Sequence, residues 1–450
     1  MLHYKYGHTI MLPYKVKSLK YFFGEDNPLK NLQENYNKVL EKISDELDIS
    51  PTNYQKAVKS YEHVANWLND SDDSLLNGNL HIYPQGSFRL GTVIRPIIGG
   101  VEANYDIDLV CKLPILKEST NPQTIKELIG ERLKEHGTFR KMLDDEGKRC
   151  WTLEYAENNG IGFHIDILPS IQEGSDIVSF IQQFVPFSIA VKSIAITDKS
   201  KSGYYDWETS NPDGYAEWFD EVKKPIFRKL VRSQKEYLFS ENVSFYNSID
   251  DVPDQLVKTP LQRAIQILKR HRDIRFLNHE LESDKPISMI ITTLAAKLYE
   301  QEEDVYTTLK NIVEKLDDYS QLLNLDNIQY FQEESYNIIK RGQDGKWYIP
   351  NPVNPNENFA DRWHENGNRR ANAFFYWIRC IKTDIIDILK LGDMQSIGKS
   401  LEYSFGETAT KRALGRINGS NNYPSIIVPV NFKEPEEIAN PTKPWRKNAE

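Results

Sequence analysis

The stretch that decides the fold runs from Leu80 to Thr92 and reads LHIYPQGSFRLGT. Its first four residues are apolar, aromatic or β-branched, which predicts a short strand. Gly86 and Ser87 then make a turn, where a glycine lets the backbone approach a phosphate closely and a serine hydroxyl supplies a donor. The sequence therefore predicts a strand, a turn and a helix that together can hold an anion at the turn.

Three aspartates follow this turn on two further predicted strands. Asp106 and Asp108 alternate with apolar residues in YDIDLV at 105–110, and Asp166 does so in GFHIDIL at 162–168. Because successive strand residues point to opposite faces, we expect the three carboxylates on one face and the isoleucines in the core. His164 shares the polar face, and we interpret it as a packed or hydrogen-bonded neighbour rather than a ligand.

Three carboxylates on one sheet face repel each other unless cations lie between them. Mg²⁺ suits such a site, because it is held by a few carboxylates together with substrate phosphates. We therefore expect two Mg²⁺ ions, for which Mn²⁺ can substitute, bound by the predicted catalytic residues Asp106, Asp108 and Asp166. A single D-x-D pair or a single Gly-Ser turn predicts little, and the prediction depends on their ordered combination.

The combination resembles the CD-NTases, the bacterial relatives of cyclic GMP-AMP synthase in CBASS antiphage signalling. The segments that carry the resemblance are GSFRLGT at 86–92, YDID at 105–108, Asp166, SNPDGYAEWF at 210–219, LQRAIQILKR at 261–270, KPIS at 285–288, NPVNPNEN at 351–358 and FGE at 405–407. The resemblance implies a metal-dependent nucleotidyltransferase. Such an enzyme joins nucleoside triphosphates, with ATP and GTP as expected substrates, into a cyclic di- or trinucleotide and releases pyrophosphate.

The resemblance also implies which residues bind the substrate. At the turn these are Gln85, Gly86 and Ser87, and in the second lobe Lys269 and Ser288 would reach the triphosphate. From the residues alone, Ser288 could equally be a helix N-cap. The other basic residues around Lys269 are predicted to form a solvated face, namely Arg263, Arg270 and Arg272.

The predicted fold class is α+β, with a polymerase-β-like core in which helices flank a mixed sheet, and with a mainly helical second lobe. We expect N-terminal helices that pack on both lobes over residues 1–77, a catalytic core over 78–212, a helical lobe over 213–417 and an extended proline-containing tail over 418–450. Within the core, residues 171–212 are expected to form an irregular connector. The segment GDMQSIGKS at 392–400 resembles a P-loop with the wrong spacing, and we interpret it as a turn between helices.

The composition of the chain narrows the range of possible functions. The chain has 450 residues and a formal net charge of −9, which argues against long nucleic acid as its main partner. The second possible function, after the cyclic nucleotide synthase, is therefore a template-independent nucleotidyltransferase that acts on RNA ends. Poly(A) polymerases and linear oligoadenylate synthases are enzymes of this kind. A nonenzymatic binding protein with the same fold is the third.

Cysteine content and hydropathy indicate the cellular compartment in which the protein is expected. Cys111, Cys150 and Cys380 form no C-x-x-C pair, so we expect neither a zinc ribbon nor a disulfide framework. We find no signal peptide and no apolar run long enough to span a membrane, and we expect a cytoplasmic protein without a membrane partner. The tail presents Trp445 between basic residues, and we expect it to be a handle for CBASS accessory proteins.

Overall fold

The computed structural model describes residues 28–73, 76, 78–98, 101–155, 162–243, 245–324, 338–391 and 394–417. The helices of these ranges are α1 (Pro28–Leu47), α2 (Pro51–Asn69), α3 (Gly86–Leu90), α4 (Pro122–Glu135), α5 (Gly137–Met142), α6 (Ser175–Ile181), α7 (Phe187–Ala190), α8 (Pro212–Glu241), α9 (Pro260–Arg275), α10 (Ser288–Leu298), α11 (Val305–Asp318), α12 (Glu365–Ile381), α13 (Met394–Phe405) and α14 (Glu407–Ile417). The strands are β1 (His81–Gln85), β2 (Ile97–Ile98), β3 (Val101–Glu102), β4 (Tyr105–Leu113), β5 (Trp151–Tyr155), β6 (Phe163–Gln172), β7 (Ile194–Lys199), β8 (Tyr205–Ser210), β9 (Lys340–Arg341) and β10 (Trp347–Tyr348). The first 27 residues and the predicted tail at 418–450 lie outside the described part of the chain.

A six-stranded mixed sheet forms the centre of the first half of the protein. Its strand order is β1-β4-β6-β7-β8, with β5 paired to the first half of β6. β4 and β6 run parallel, whereas the other neighbouring pairs are antiparallel. The alternation of apolar and polar residues that predicted β4 and β6 is confirmed, because Ile107 and Ile165 are fully buried beneath the polar face. The predicted α+β class, with a mixed sheet flanked by helices, is confirmed.

The expectation of an irregular connector at 171–212 is wrong. This segment contains α6 and α7 and then the antiparallel strands β7 and β8, which complete the sheet. The polar composition arises because β8 is an edge strand, and edge strands carry charged side chains. Its Glu208 and the β7 residue Asp198 both form ion pairs with Arg149.

The two largest hydrophobic clusters of the described residues form the main cores of the protein. One fills the space between the sheet and helices α2, α4 and α5, with Leu68, Ile129 and Phe139 among its buried residues. The other joins α1 to the helices from α8 onward, where Tyr36 donates a hydrogen bond from its hydroxyl to Ile385 O at 2.8 Å. The first helix therefore packs in the helical core and the second against the sheet. The domain boundaries at 77, 212 and 417 stay predictions.

Helix α9 begins at a start signal in its sequence, an N-cap residue followed by proline, but it is far less exposed than the predicted solvated face. Thr259 is the N-cap and Pro260 the first helical residue, and the side chain of Gln262 completes a capping box. The prediction of a solvated basic face is wrong for Arg270 and Arg272, which are 2 % and 9 % exposed, and Arg263 is only partly exposed. Helix α9 is therefore a buried central element whose charges are matched by neighbouring groups.

Three smaller expectations can be compared with the structure. The segment at 392–400 is mostly helix, because α13 begins at Met394, so its interpretation as a turn is wrong beyond the first residues. The cysteines Cys111, Cys150 and Cys380 are free thiols. Within the described ranges, no helix is both long and apolar enough to cross a bilayer.

Candidate active site

Two rows of polar side chains cross one face of the sheet. Residues that lie directly opposite each other on paired strands share a face. The register therefore gives, in strand order, the rows Gln85–Asp108–Asp166–Thr152 and Asp106–His164–Glu154. The three predicted catalytic aspartates are thus brought together on one face, and Gln85 lies beside them.

His164 is a hydrogen-bonded neighbour of the aspartates, as its position predicted. Its Nδ1 lies 3.0 Å from Asp106 Oδ1, and its Nε2 lies 3.3 Å from Asn104 Nδ2. Burial alone would lower the pKa of His164, but the nearby carboxylates, Asp106 foremost, raise it above its usual value. The imidazole therefore compensates part of the negative charge on this face.

Asp108 is the carboxylate whose negative charge is most disfavoured by its surroundings in this cluster. Burial, followed by repulsion from Asp166 and Asp106, raises the pKa of Asp108 to about 7, and the positive charge of Lys269 offsets only part of that rise. Burial also raises the pKa of Asp166, although its carboxylate accepts a hydrogen bond from the Thr152 hydroxyl at 2.6 Å. The face therefore holds more negative charge than its own side chains compensate.

The three aspartate side chains offer the kind of ligand atom that a hard divalent cation binds. All the candidate ligands are carboxylate oxygens, which Mg²⁺ and Mn²⁺ prefer, and a cation would relieve the repulsion around Asp108. In the described ranges, no three His, Cys, Asp or Glu side chains yet converge closely enough to ligate one ion. Asp106 is turned toward His164 and Asp166 toward Thr152, so these two carboxylates would have to move closer to Asp108 for shared ligation.

Gly86 brings the turn directly onto Asp108. Its backbone is left-handed, with φ of +60°, and a β-carbon at this position would overlap Asp108 Oδ2. Only glycine combines that conformation with that approach. Ser87 follows in the first turn of α3, and its carbonyl accepts a hydrogen bond from Thr92 N at 2.9 Å.

Lys269 reaches the same region from the helical half of the protein. Its Nζ donates to Thr92 O at 3.0 Å and to Thr92 Oγ1 at 3.2 Å, and the residue is 4 % exposed. Burial, together with the charge of Arg272, lowers the pKa of Lys269 to about 7, whereas Asp273 and Asp108 raise it in part. The Lys269 ammonium is therefore buried against Thr92, within electrostatic range of Asp108, and not on a solvated face.

Ser288 contacts helix α9 through a hydrogen bond with Arg272. It is the first residue of α10, after the N-cap Ile287, so the alternative of Ser288 as N-cap is wrong by one position. Its hydroxyl accepts a hydrogen bond from Arg272 Nη1 at 3.0 Å. Ser288 therefore contacts Arg272, which lies three residues after Lys269 on α9, and its predicted contact with the triphosphate stays a prediction.

Comparison with known proteins identifies the family. Residues 81–169 match the family described as the cyclic GMP-AMP synthase DncV-like nucleotidyltransferase domain. A c-di-GMP synthase of Roseivirga ehrenbergii is 28% identical over 333 residues, which are 74% of each chain. The cyclic dinucleotide synthase CdnG of Bradyrhizobium diazoefficiens is 21% identical over 404 residues, 88% of this chain and 86% of CdnG. These comparisons agree in indicating a CD-NTase.

Solved CD-NTase structures share the fold. The structure of Bradyrhizobium diazoefficiens CdnG in complex with GTP superposes with a TM-score of 0.60 at 19% identity, covering 85% of this chain and 99% of CdnG. The structure of Escherichia coli MS115-1 CdnC with ATP gives a TM-score of 0.53 at 14% identity, covering 83% of this chain and 98% of CdnC. The likeness to the CD-NTase fold therefore spans most of the described chain.

Two polar residues of this CD-NTase face were missed by the sequence reasoning. Thr152 and Glu154 lie on β5. Thr152 donates a hydrogen bond to Asp166, and the Glu154 carboxylate contributes to the raised pKa of His164. The signal was present in WTLEY at 151–155, which alternates apolar and polar residues as β4 and β6 do. What the sequence could not supply was the pairing of β5 with β6.

Proposed function

We propose that this CD-NTase joins nucleoside triphosphates into a cyclic di- or trinucleotide second messenger and releases pyrophosphate. The observation that carries the proposal is the contact between the Gly86 turn and Asp108, in the same row as Asp166. A triphosphate held at the turn would have its reacting phosphorus next to the carboxylates. The names of the Roseivirga and Bradyrhizobium relatives, both cyclic dinucleotide synthases, support the same reaction class.

ATP and GTP are the substrates that we propose. The CdnG structure was solved with GTP and the CdnC structure with ATP, so relatives of the same fold accommodate both purine nucleotides. At the site, Ser87 would donate its hydroxyl to the β- or γ-phosphate, with Gln85 and Gly86 beside it. An ammonium has three donors, and Lys269 uses two of them on Thr92, so the third can be directed to the triphosphate.

Asp106, Asp108 and Asp166 are proposed to hold divalent cations, which CD-NTases generally use, and we propose two Mg²⁺ ions. Such ions would stabilise the attacking and the leaving oxygens of an in-line displacement. Asp108, whose carboxylate is the most strongly repelled, would gain most from binding a cation. Asp166 would lie nearest the acceptor ribose hydroxyl and help to lower its pKa.

The bond changes balance without a covalent enzyme intermediate. The oxygen of the acceptor ribose hydroxyl attacks the α-phosphorus, and the bond from that phosphorus to the bridging oxygen of the β-phosphate breaks. Pyrophosphate leaves with the electron pair, and the hydroxyl proton passes to solvent. The linear product then turns round in the site, and its remaining triphosphate reacts with its own free hydroxyl, which closes the ring.

Nucleotidyl transfer to an RNA end is the alternative, because the same carboxylates could catalyse it. The net negative charge of the chain disfavours RNA binding and therefore favours the cyclic product. A role in CBASS antiphage signalling is typical of the family and stays a prediction for this chain. The accessory proteins proposed for the tail would bind at 418–450, which lies outside the described residues.

Pyrophosphate release tests the function directly. The purified chain with nucleoside triphosphates and Mg²⁺ should release pyrophosphate without an RNA primer. The double variant D106N/D108N should lose at least a hundredfold in rate while its melting temperature is kept, because it removes ligands and relieves repulsion. Asp206→Asn, an exposed acid on β8 of the same sheet, is the control and should keep full activity. Substantial synthesis by a well-folded double variant would contradict the assigned site.

A further inference from the structure

Helix α9 and Lys258, the residue before its N-cap, are joined to the segment after the turn by a row of side-chain donors. Five side chains each donate to a backbone carbonyl between Leu90 and Arg95. The first four are three or four residues apart in the sequence, and the fifth directly follows the fourth. The bonds are Lys258 Nζ to Gly91 O at 3.1 Å, Gln262 Nε2 to Leu90 O at 2.8 Å, Gln266 Nε2 to Val93 O at 2.9 Å, Lys269 Nζ to Thr92 O at 3.0 Å and Arg270 Nη2 to Arg95 O at 2.9 Å. We call this set the carbonyl ladder.

The carbonyl ladder ends within a few ångströms of the predicted phosphate contacts. Helix α3 has five residues, with Gly86 and Ser87 at one end and Leu90 at the other. A helix of that length spans only about 7 Å. Thr92 N donates to Ser87 O at 2.9 Å, and Thr92 O accepts from Lys269. A displacement of residues 90–95 would therefore move the turn by a similar amount.

We propose, on the basis of the function proposed above, that Gln262 and Gln266 are positioning residues for the phosphate turn. Through the carbonyl ladder they hold the Gly86-Ser87 turn at a fixed place relative to α9, and hence relative to Lys269 on that helix. They act on the turn through the backbone of residues 90–95 and do not themselves bind the nucleotide. Both are neutral, so their effect is separable from the electrostatic attraction that Lys269 exerts on a phosphate.

Gln266 provides the sharper observation of the two. Its side chain is fully buried, and its amide nitrogen donates to Val93 O, whereas its Oε1 has no hydrogen-bond partner among the described residues. Burying an unsatisfied amide oxygen is unfavourable, so an apolar side chain would serve packing alone better. The donor to Val93 is what Gln266 supplies that an apolar residue of similar size would not. Gln262, in contrast, also completes the N-cap of α9.

The test compares two glutamines with the same kind of contact. Gln266→Met removes the donor to Val93 and keeps the length of the side chain, and Gln266→Asn keeps an amide but withdraws it by one methylene. The matched control is Gln301→Met. Gln301 also donates its amide to one backbone carbonyl, Val222 O at 2.7 Å, and also has an Oε1 without a partner among the described residues, but its bond goes to α8 and not to residues 90–95.

Two readouts are measured on the full chain. The first is steady-state pyrophosphate release from ATP and GTP with Mg²⁺, and the second is amide hydrogen exchange of residues 86–95 without nucleotide. We expect Gln266→Met and Gln266→Asn to lower kcat/KM on the order of tenfold to a hundredfold, because small displacements of binding groups have effects of that size. We also expect faster exchange in residues 86–95. Gln301→Met should change neither readout, even if its melting temperature falls as much.

The outcomes separate this proposal from the proposed function. If the wild-type chain releases no pyrophosphate, the proposed function fails, and hydrogen exchange alone decides on the positioning role. Unchanged exchange at residues 86–95 in a folded Gln266→Met or Gln266→Asn chain would overturn that role. So would an equal loss of kcat/KM in Gln301→Met, which would show that the loss follows general stability rather than the carbonyl ladder.

Discussion

Gly86 and Asp108 are in such close approach that a side chain on Gly86 would overlap the Asp108 carboxylate. The register explains the approach, because Gln85 at the end of β1 lies directly opposite Asp108 on β4 and the chain turns at the next residue. The backbone of the turn therefore lies against the carboxylate that is most strongly repelled by its neighbours. A nucleotide held at this turn would therefore lie next to Asp108.

Replacing Gly86 should abolish activity for a steric reason. Gly86→Ala places a β-carbon against Asp108 in a left-handed backbone, so we expect at least a hundredfold loss of synthesis. The backbone conformation adds a stability cost of about 1 kcal/mol. Gly78→Ala is the matched control, because Gly78 has a similar φ of +66° but open space around its β-position. The rate of pyrophosphate release and the melting temperature are measured for both. Near-normal synthesis by Gly86→Ala would contradict the close approach.

Asp108 should make stability depend on pH in the absence of divalent cations. Its pKa is raised to about 7 in the folded state, so the folded chain takes up a proton as pH falls through 7, before the unfolded chain does. The penalty from the buried charge is therefore fully present above pH 7 and is lost toward pH 4. Asp108→Asn should be more stable than wild type at pH 8 by about 1–3 kcal/mol, and by little at pH 4.

Urea unfolding at pH 4, 6 and 8 with a chelator measures this difference. Asp206→Asn, an exposed acid on the same sheet, should show no such gain at pH 8. Added Mg²⁺ should stabilise wild type more than Asp108→Asn, because the variant has lost a proposed ligand. If Asp108→Asn is less stable than wild type at pH 8, the carboxylate is not repelled as described.

Lys269 should contribute to nucleotide binding beyond its place in the carbonyl ladder. Lys269→Met removes a buried ammonium beside Asp108, and we expect nucleotide affinity to weaken by about 1–3 kcal/mol, the worth of a charge-assisted hydrogen bond. Lys258→Met is the control. Lys258 is similarly buried and also donates to backbone carbonyls, those of Gly91 and Gln255, and it forms an ion pair with Asp48. Binding of a nonhydrolysable triphosphate is measured by calorimetry, and an equal loss in both variants would show that Lys269 acts only as part of the ladder.

His164 should matter through its hydrogen bond to Asp106 rather than as a metal ligand. His164→Leu removes that bond, and we expect a loss of roughly tenfold in rate, the effect of a misplaced ligand. His164→Asn can still present a side-chain nitrogen to Asp106 and should recover much of the loss. Rates at saturating Mg²⁺ are compared with those of Asp106→Asn. A loss in His164→Leu as large as in Asp106→Asn, with no recovery in His164→Asn, would indicate direct ligation.

The polar face of the sheet was predictable because its information is local. In YDIDLV and GFHIDIL, every second residue is apolar, so the carboxylates had to share a face once both segments were strands. The N-cap of α9 was predictable for the same reason, since Thr259 and Pro260 are adjacent in the chain. The neighbour role of His164 followed from its position two residues before Asp166.

Features that depend on distant partners were not predictable from one sequence. Arg270 and Arg272 look solvated in a helical pattern, yet Arg270 donates to Arg95 O, 175 residues earlier, and Arg272 to Ser288. The strands β7 and β8 look like a polar connector because ion pairs from Arg149 hold the edge of the sheet. Thr152 and Glu154 join the site only when β5 pairs with β6.

The structure of the product tests the central claim most directly. The wild-type chain is incubated with ATP and GTP, singly and together, with Mg²⁺ and no RNA, and the products are treated with phosphatase and analysed by mass. We predict a small product that resists phosphatase and whose mass equals that of a cyclic di- or trinucleotide, with none formed by the D106N/D108N variant. A linear product that loses its terminal phosphates to phosphatase, or extension only of an added RNA end, would contradict the account.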